Sequence, residues 1–424
     1  MVLTAVFVVL VFLYSLVSQR LQPTVITAPM LFAAAGAATS LLPEAARELV
    51  VDREVLLLIA ELALVMLLFT DASRINRSLL TAGRSLPIRL LTMGMPLTIV
   101  LGAVCAIVVL SGLSWGEAGI LTAILAPTDA GLGQVIVSSQ LVPQRIRQSL
   151  NVEAGLNDGL AVPVLLLFLV LAVAEEHTGP AGAVLARFLG EQLGYGTLIG
   201  IGIGAAGGWL LGLAHRTRWM APPVGQLGVA ALPLLCVIVA EEAGASMFIA
   251  AFVAGFAVQF GFNAAGRQSV EFTEHWGQLF NYFVFFFFGT VVAGVWEHFT
   301  PAVLLYAVLS LTVVRMAPVA LALQGTRLSR ATVLFMGWFG PRGLASIVLA
   351  LMYQAQEAGL AGHSTIRLAV LATVLLSIFA HGLTAQPGIK LYARRITALD
   401  ETSPEHQALG DGSPEPPQTP DVGT

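Results

Sequence analysis

The chain has 424 residues, 57% of them hydrophobic and only 11% charged, with a formal net charge of -4. Soluble domains carry about 25% charged residues, so a chain this apolar cannot hide its surface in a soluble core and reads as an integral membrane protein. The mildly negative balance, with no basic cluster, argues against a nucleic-acid partner.

Taken in order, the chain offers about thirteen stretches near the ~20 mostly apolar residues that a spanning helix needs. They are 2–17, 24–42, 55–70, 90–110, 116–137, 149–172, 190–213, 224–240, 246–260, 279–295, 302–323, 332–352 and 368–383. The first has no basic residue before it, and Arg20 follows it. This pattern predicts a retained helix with its N-terminus outside. The loops after odd-numbered spans then hold Arg20, Arg74, Arg77, Arg84, Arg145, Arg147, Arg216, Arg218, Arg267, Arg327, Arg330, Lys390, Arg394 and Arg395. The opposite loops hold Arg47, Arg53 and Arg367, beside acids such as Glu175, Glu241 and Glu297. That asymmetry predicts an odd span count and a cytoplasmic C-terminus. Residues 396–424 are rich in Pro, Gly and acids and predict a disordered cytoplasmic tail.

Several charges fall inside these spans. In NVEAGLNDGLAVPVLLLFL, residues 151–169, the Asp158–Gly159 pair suits a turn. A turn there leaves only 160–172 to span, about 20 Å against a core of roughly 30 Å. The helix therefore starts near Ser149 and carries Glu153, Asn157 and Asp158 into the membrane. Glu153 and Asn157 are i,i+4 and share a face, and Asp158 lies about 100° further round. The same length argument puts Thr128 and Asp129 of ILTAILAPTDAGLGQVIVS mid-membrane, and Arg342 in TVLFMGWFGPRGLASIVLALM.

Both of those segments are broken near their centres, by Pro127, Gly131 and Gly133 in one and by Gly340, Pro341 and Gly343 in the other. A broken helix exposes backbone polar groups, which is tolerated where they are buried in protein or line a wet cavity. Two breaks at corresponding places in two halves point to an ion site between inverted repeats. Arg315 is a further buried charge, and each such residue costs roughly 2.5–3.5 kcal/mol to insert. Glu61, in the third span, is a weaker candidate that suits a neighbouring helix or the headgroups. Cys105 and Cys236 read as packing residues. So does His381, near the end of the last span. The run YFVFFFFGT reads as lipid- or dimer-facing bulk.

AILAPTDAGLG, LNVEAGLNDGLAVP, Arg315 and FGPRGLASIVLAL occur in the order found in cation–proton antiporters. Over residues 1–395 the chain resembles the NhaP/NHE branch of sodium–proton antiporters. The resemblance implies an all-α polytopic fold of about 13 transmembrane helices, with inverted repeats and two broken, crossing helices. It implies a homodimer in lipid, each protomer having dimerisation helices and a six-helix ion-binding core at about 86–175 and 299–395. The implied activity is exchange of Na+ or Li+ for H+ in a bacterial inner (plasma) membrane, usually electroneutral, with no cofactor beyond the transported ions. By the same resemblance Asp158 carries cation and proton, with Na+ held at Asp158 and Thr128. Thr128 and Asp129 line the crossing, Asn157 orients the site, Glu153 pairs with Arg315, and Arg342 offsets the dipole ends of the second break.

Two departures stand out. Ala154 occupies a position where the family often has Ser, and Ala130 one where it often has Pro. A hard cation needs oxygen ligands, so Ala154 leaves Na+ and K+ open, and a K+/H+ antiporter of the same fold is the alternative. A cation channel needs a continuous pore without proton coupling. An enzyme is disfavoured, since no HExxH occurs and no serine-histidine or Gly-x-Ser-x-Gly arrangement stands out.

Overall fold

The computed structural model describes residues 2–21, 24–41, 53–74, 86–176, 189–262, 265–355, 360–399 and 403–405. Arg47, Arg77, Arg84 and the tail beyond Glu405 lie outside the described residues. Every regular element described is helical: α1 Val2–Leu21, α2 Ala28–Ala38, α3 Arg53–Arg74, α4 Leu86–Val109, α5 Trp115–Leu125, α6 Ala130–Val137, α7 Gln144–Glu176 and α8 Gly196–Arg216. There follow α9 Pro222–Glu242, α10 Met247–Val258, α11 Ala265–Val295, α12 Pro301–Leu311, α13 Val313–Ala322, α14 Arg330–Trp338, α15 Leu344–Ala355 and α16 His363–Thr397.

Each apolar stretch of the sequence falls on a helix or on a pair of half-helices. Among the described residues, eight helices are long and apolar enough to cross a membrane. Backbone bonding within helices is what permits this in a solvent with no hydrogen-bonding partner. Local signals set the ends. Ser114 and Glu117 form a capping box at the start of α5, and Thr300, followed by Pro301, caps α12. The eleventh stretch, expected as one span, is interrupted at Thr312, three residues before Arg315. Pro318 further removes the bond that would reach the carbonyl of residue 314.

The helices pack in two groups. In one, α2 lies against α11, α8 against α10, and α3 against α10 and α11. Gly196, Gly200, Gly204, Gly208 and Gly212 form a buried stripe on α8. A Cβ at Gly200 would strike the Ala250 carbonyl, so the glycines set how closely α8 and α10 approach. In the other group, α5 packs against α4, α7 and α16, and α12 against α16. α3 is the main bridge, touching α7 and α15 of the second group.

The phenylalanine run departs from the sequence expectation. Phe285, Phe286 and Phe288 are buried within the helix bundle rather than presented as outer bulk. Nearby, Tyr282 stacks on Phe32 at 4.5 Å and Phe7 meets Phe283 edge-on. Gly36 of α2 and Gly289 of α11 let the two backbones approach, since a Cβ at either would strike a carbonyl of the other helix.

Candidate functional site

The site is built around two interruptions that face each other. α5 ends at Leu125 and α6 begins at Ala130, while α14 ends at Trp338 and α15 begins at Leu344. Each break strands carbonyls at one half-helix end and N–H groups at the next. Asp129 and Arg342 satisfy both kinds.

Asp129 caps α6, its Oδ1 accepting the Leu132 N–H at 2.9 Å. Its Oδ2 accepts the N–H of Leu344, the first residue of α15, and its own N–H donates to the Pro341 carbonyl at 2.8 Å. One carboxylate thus serves the positive ends of two helix dipoles. A Cβ at Gly343 would collide with Asp129 Oδ2, so glycine is required by close approach. With both oxygens engaged, Asp129 stands as a double helix cap.

Arg342 is fully buried. Its Nη1 donates to the Ala126 carbonyl at 2.7 Å and the Pro127 carbonyl at 2.9 Å. The charge lies at the second break yet serves the negative, carbonyl end of the first. The expectation had placed it against its own break; the crossing geometry carries it over. Its backbone N–H donates to Ser377 Oγ at 2.6 Å.

α7 brings the remaining polar residues in. Asn157 is clamped to the first break: Oδ1 accepts the Thr128 N–H at 3.2 Å, and Nδ2 donates to Thr128 Oγ1 at 2.7 Å. On the same face, Glu153 Oε1 meets Arg315 Nη1 at 2.6 Å with both side chains buried. Asp158 is also buried, 4% exposed, and its Oδ1 has no hydrogen-bond partner among the described residues. The other buried carboxylates, Glu117, Asp129, Glu153 and Glu405, each accept a hydrogen bond or an ion pair.

Two more residues belong here that the sequence reading passed over. Asp71, on α3, lies against Gly155 and within electrostatic reach of Asp158. The third span was expected to stop at Thr70, but α3 continues to Arg74 and keeps Asp71 inside. Asn151 lines a small cavity of about 20 Å³ with Thr128, Asp129, Ala154, Phe339 and Pro341. Asn151, Ala154 and Asp158 follow i, i+3, i+7 on α7, a signal available from spacing alone. The cavity is of the size that holds one water.

Glu61 is not brought into this group. It is ten positions before Asp71 on α3, roughly 15 Å along the axis, and its charged neighbour is Glu241. A larger apolar hollow of about 390 Å³, lined by Ile99, Trp115, Phe168 and Glu175, is also apart from the site. Glu175 is seventeen positions beyond Asp158 on α7, roughly 25 Å.

Comparison with known proteins agrees with this architecture. A family model described as sodium/hydrogen exchanger, transmembrane, matches residues 5–390. The K(+)/H(+) antiporter NhaP of Alkalimonas amylolytica is 27% identical over 361 residues, covering 83% of this chain and 60% of that protein. The Na(+)/H(+) antiporter ApNhaP of Aphanothece halophytica is 28% identical over 297 residues, covering 66% and 54%. The chain therefore spans little more than half the length of these curated relatives. The sodium proton antiporter MjNhaP1 of Methanocaldococcus jannaschii, solved at pH 8, superposes with a TM-score of 0.72 at 18% identity, covering 94% of this chain and 98% of that one. At that identity the likeness establishes the fold, an NhaP-type arrangement with two broken, crossing helices. The chain is an integral membrane protein and belongs to the sodium/hydrogen exchanger family, a family of transporters of monovalent cations and protons.

Proposed function

We propose that the chain exchanges Na+ or Li+ for H+ by alternating access, one for one and without net charge movement. The observation that carries this reading is Asp158, a buried carboxylate whose Oδ1 has no hydrogen-bond partner among the described residues, in a site whose other buried charges each make a hydrogen bond or an ion pair. A proton or a monovalent cation each neutralises it. An empty, charged Asp158 is costly to carry through a low-dielectric barrier, so only occupied sites cross, and exchange is obligatory.

In this reading Asp158 holds cation and proton in turn. Thr128 and Asn157 fix the wall beside it, and Asn151 lines the same cavity as Thr128. Asp129 and Arg342 hold the crossing, and the Glu153–Arg315 pair anchors α7. The moving core is α4–α7 with α12–α16, about 86–175 and 299–395 as read from the sequence. The loop arginines support an outside N-terminus and a cytoplasmic C-terminus in a bacterial inner membrane. α1 exposes Val8, Val9, Phe12, Leu13 and Leu16, an apolar face available to lipid or a second protomer.

The test is exchange in proteoliposomes with an internal pH dye, adding Na+, Li+ or K+ outside. Na+- or Li+-driven proton movement that Asp158→Asn abolishes supports the proposal; retained exchange in that variant rejects it. Ala154 and the K(+)/H(+) antiporter relative favour a second reading, K+/H+ exchange at the same site. A response to K+ alone selects it.

A further inference from the structure

His381 lies on α16 and is 2% exposed. Its Nε2 is 2.9 Å from the Trp338 carbonyl, at the last residue of α14. Its Nδ1 is 3.1 Å from Ser377 Oγ and 3.0 Å from the Ser377 carbonyl. Ser377 Oγ already accepts the Arg342 N–H, so its one proton is free to go to Nδ1. A neutral ring with its proton on Nε2 then donates to Trp338 and accepts from Ser377. In the alternative, an imidazolium, Nδ1–H donates to the Ser377 carbonyl instead. The charged groups within electrostatic reach of the ring are Arg342 and Arg315.

These contacts join both lips of the second break. Trp338 closes α14, and Arg342 leads into α15. The chain of contacts continues: Arg342 Nη1 reaches the Pro127 carbonyl, and the next residue, Thr128, donates its N–H to Asn157 beside Asp158. Hydrogen bonds linked in this way reinforce one another in a low-dielectric interior.

We infer that His381 is a positioning residue for ion exchange, acting through Ser377 and Arg342 on the crossing that frames Asp158. The inference rests on the exchange reading above. His381 touches no transported ion; it fixes the gap from Trp338 to Arg342, and with it the reach of the guanidinium to the first break. Misplacing a reacting site by about 1 Å can cost on the order of 100-fold in rate.

The experiment compares full-length wild type, His381→Ala and His381→Gln in proteoliposomes, with cation titrations at several pH values. His381→Ala is expected to lower the maximal rate by about 10- to 100-fold, with the half-saturating cation concentration and the pH midpoint unmoved. His381→Gln is expected to restore most of the rate, because an amide both donates and accepts at similar reach. Rescue by Gln also shows that the position tolerates substitution without unfolding. A wild-type rate in His381→Ala overturns the inference. So does a shifted pH midpoint in both variants, which makes His381 a proton carrier. Wild type that exchanges no cation overturns the exchange reading as well; wild type that exchanges while His381→Ala is undisturbed overturns this inference alone.

Discussion

Glu153 and Arg315 meet at 2.6 Å inside the helix bundle, and five residues further along α7 Asp158 has no such ion-pair partner among the described residues. The two carboxylates are close in chain and alike in burial, yet only one is neutralised by protein. In the exchange reading, that difference separates a residue that holds the structure from one that takes an ion.

Breaking the pair is expected to cost stability. Glu153→Gln leaves Arg315 buried and uncompensated, at about 3–5 kcal/mol. Replacing both residues with apolar ones of similar volume recovers much of that loss. Thermal unfolding of the detergent-purified variants measures it, and equal loss in single and double variants would show that the pair itself is not the source.

Asp158→Asn is expected to behave oppositely. It removes an unpaired buried charge, so the protein stays folded with stability equal to or above wild type while exchange disappears. A destabilised Asp158→Asn protein would mean the carboxylate is engaged structurally.

Gly343→Ala tests the crossing. The added methyl meets Asp129 Oδ2, and overpacking of this kind costs about 1–3 kcal/mol. Lower melting temperature together with lost exchange is the expected result. Unchanged melting would show that the two breaks have room to part.

Ala154→Ser adds a hydroxyl to the wall of the small cavity beside Thr128 and Asn151. If that cavity belongs to the ion's coordination shell, half-saturation by Na+ or Li+ falls relative to K+, since an oxygen ligand is gained. Identical cation titrations would remove the cavity from the binding site.

Glu405 supplies a pH prediction. It is buried, its Oε1 accepting the Ser329 N–H at 2.7 Å and the Thr332 hydroxyl at 2.8 Å, while Arg145 Nη1 reaches the Pro404 carbonyl at 2.7 Å. Burial pushes the Glu405 carboxyl up, but the hydrogen bonds from Ser329 and Thr332 outweigh it and hold the group below its ordinary value. The folded state therefore binds the proton less readily than the unfolded chain does. The stabilisation is complete above the ordinary carboxylate value and is lost as pH falls through the lower, folded one. Glu405→Gln is expected to destabilise by about 1–3 kcal/mol at neutral pH and by nothing in acid. A constant difference across pH would refute the assignment.

Length arithmetic made much of this legible in advance. Residues 160–172 are too few to span, so α7 had to take in Glu153, Asn157 and Asp158, and the helix indeed begins at Gln144. Pro127 and the Gly-Pro-Arg-Gly run marked both breaks, now seen between α5 and α6 and between α14 and α15. Asp71 was lost by ending a span one residue early. His381 was read as packing because the break it meets, directly at Trp338 and through Ser377 at Arg342, lies about forty positions away in the chain.

Periodicity, proline and span length by themselves determined that this chain is a helical membrane protein with charged residues at two broken helices. Those features act within about twenty residues and follow from the thickness of the bilayer. Only the tertiary structure decided which charge meets which backbone. Arg342 serves carbonyls more than two hundred positions away, Asp129 caps a helix from the other repeat, and Asp158 Oδ1 is left without a hydrogen bond among the described residues. Hydrogen bonds and ion pairs act over a few ångströms, and the fold alone brings distant segments that close.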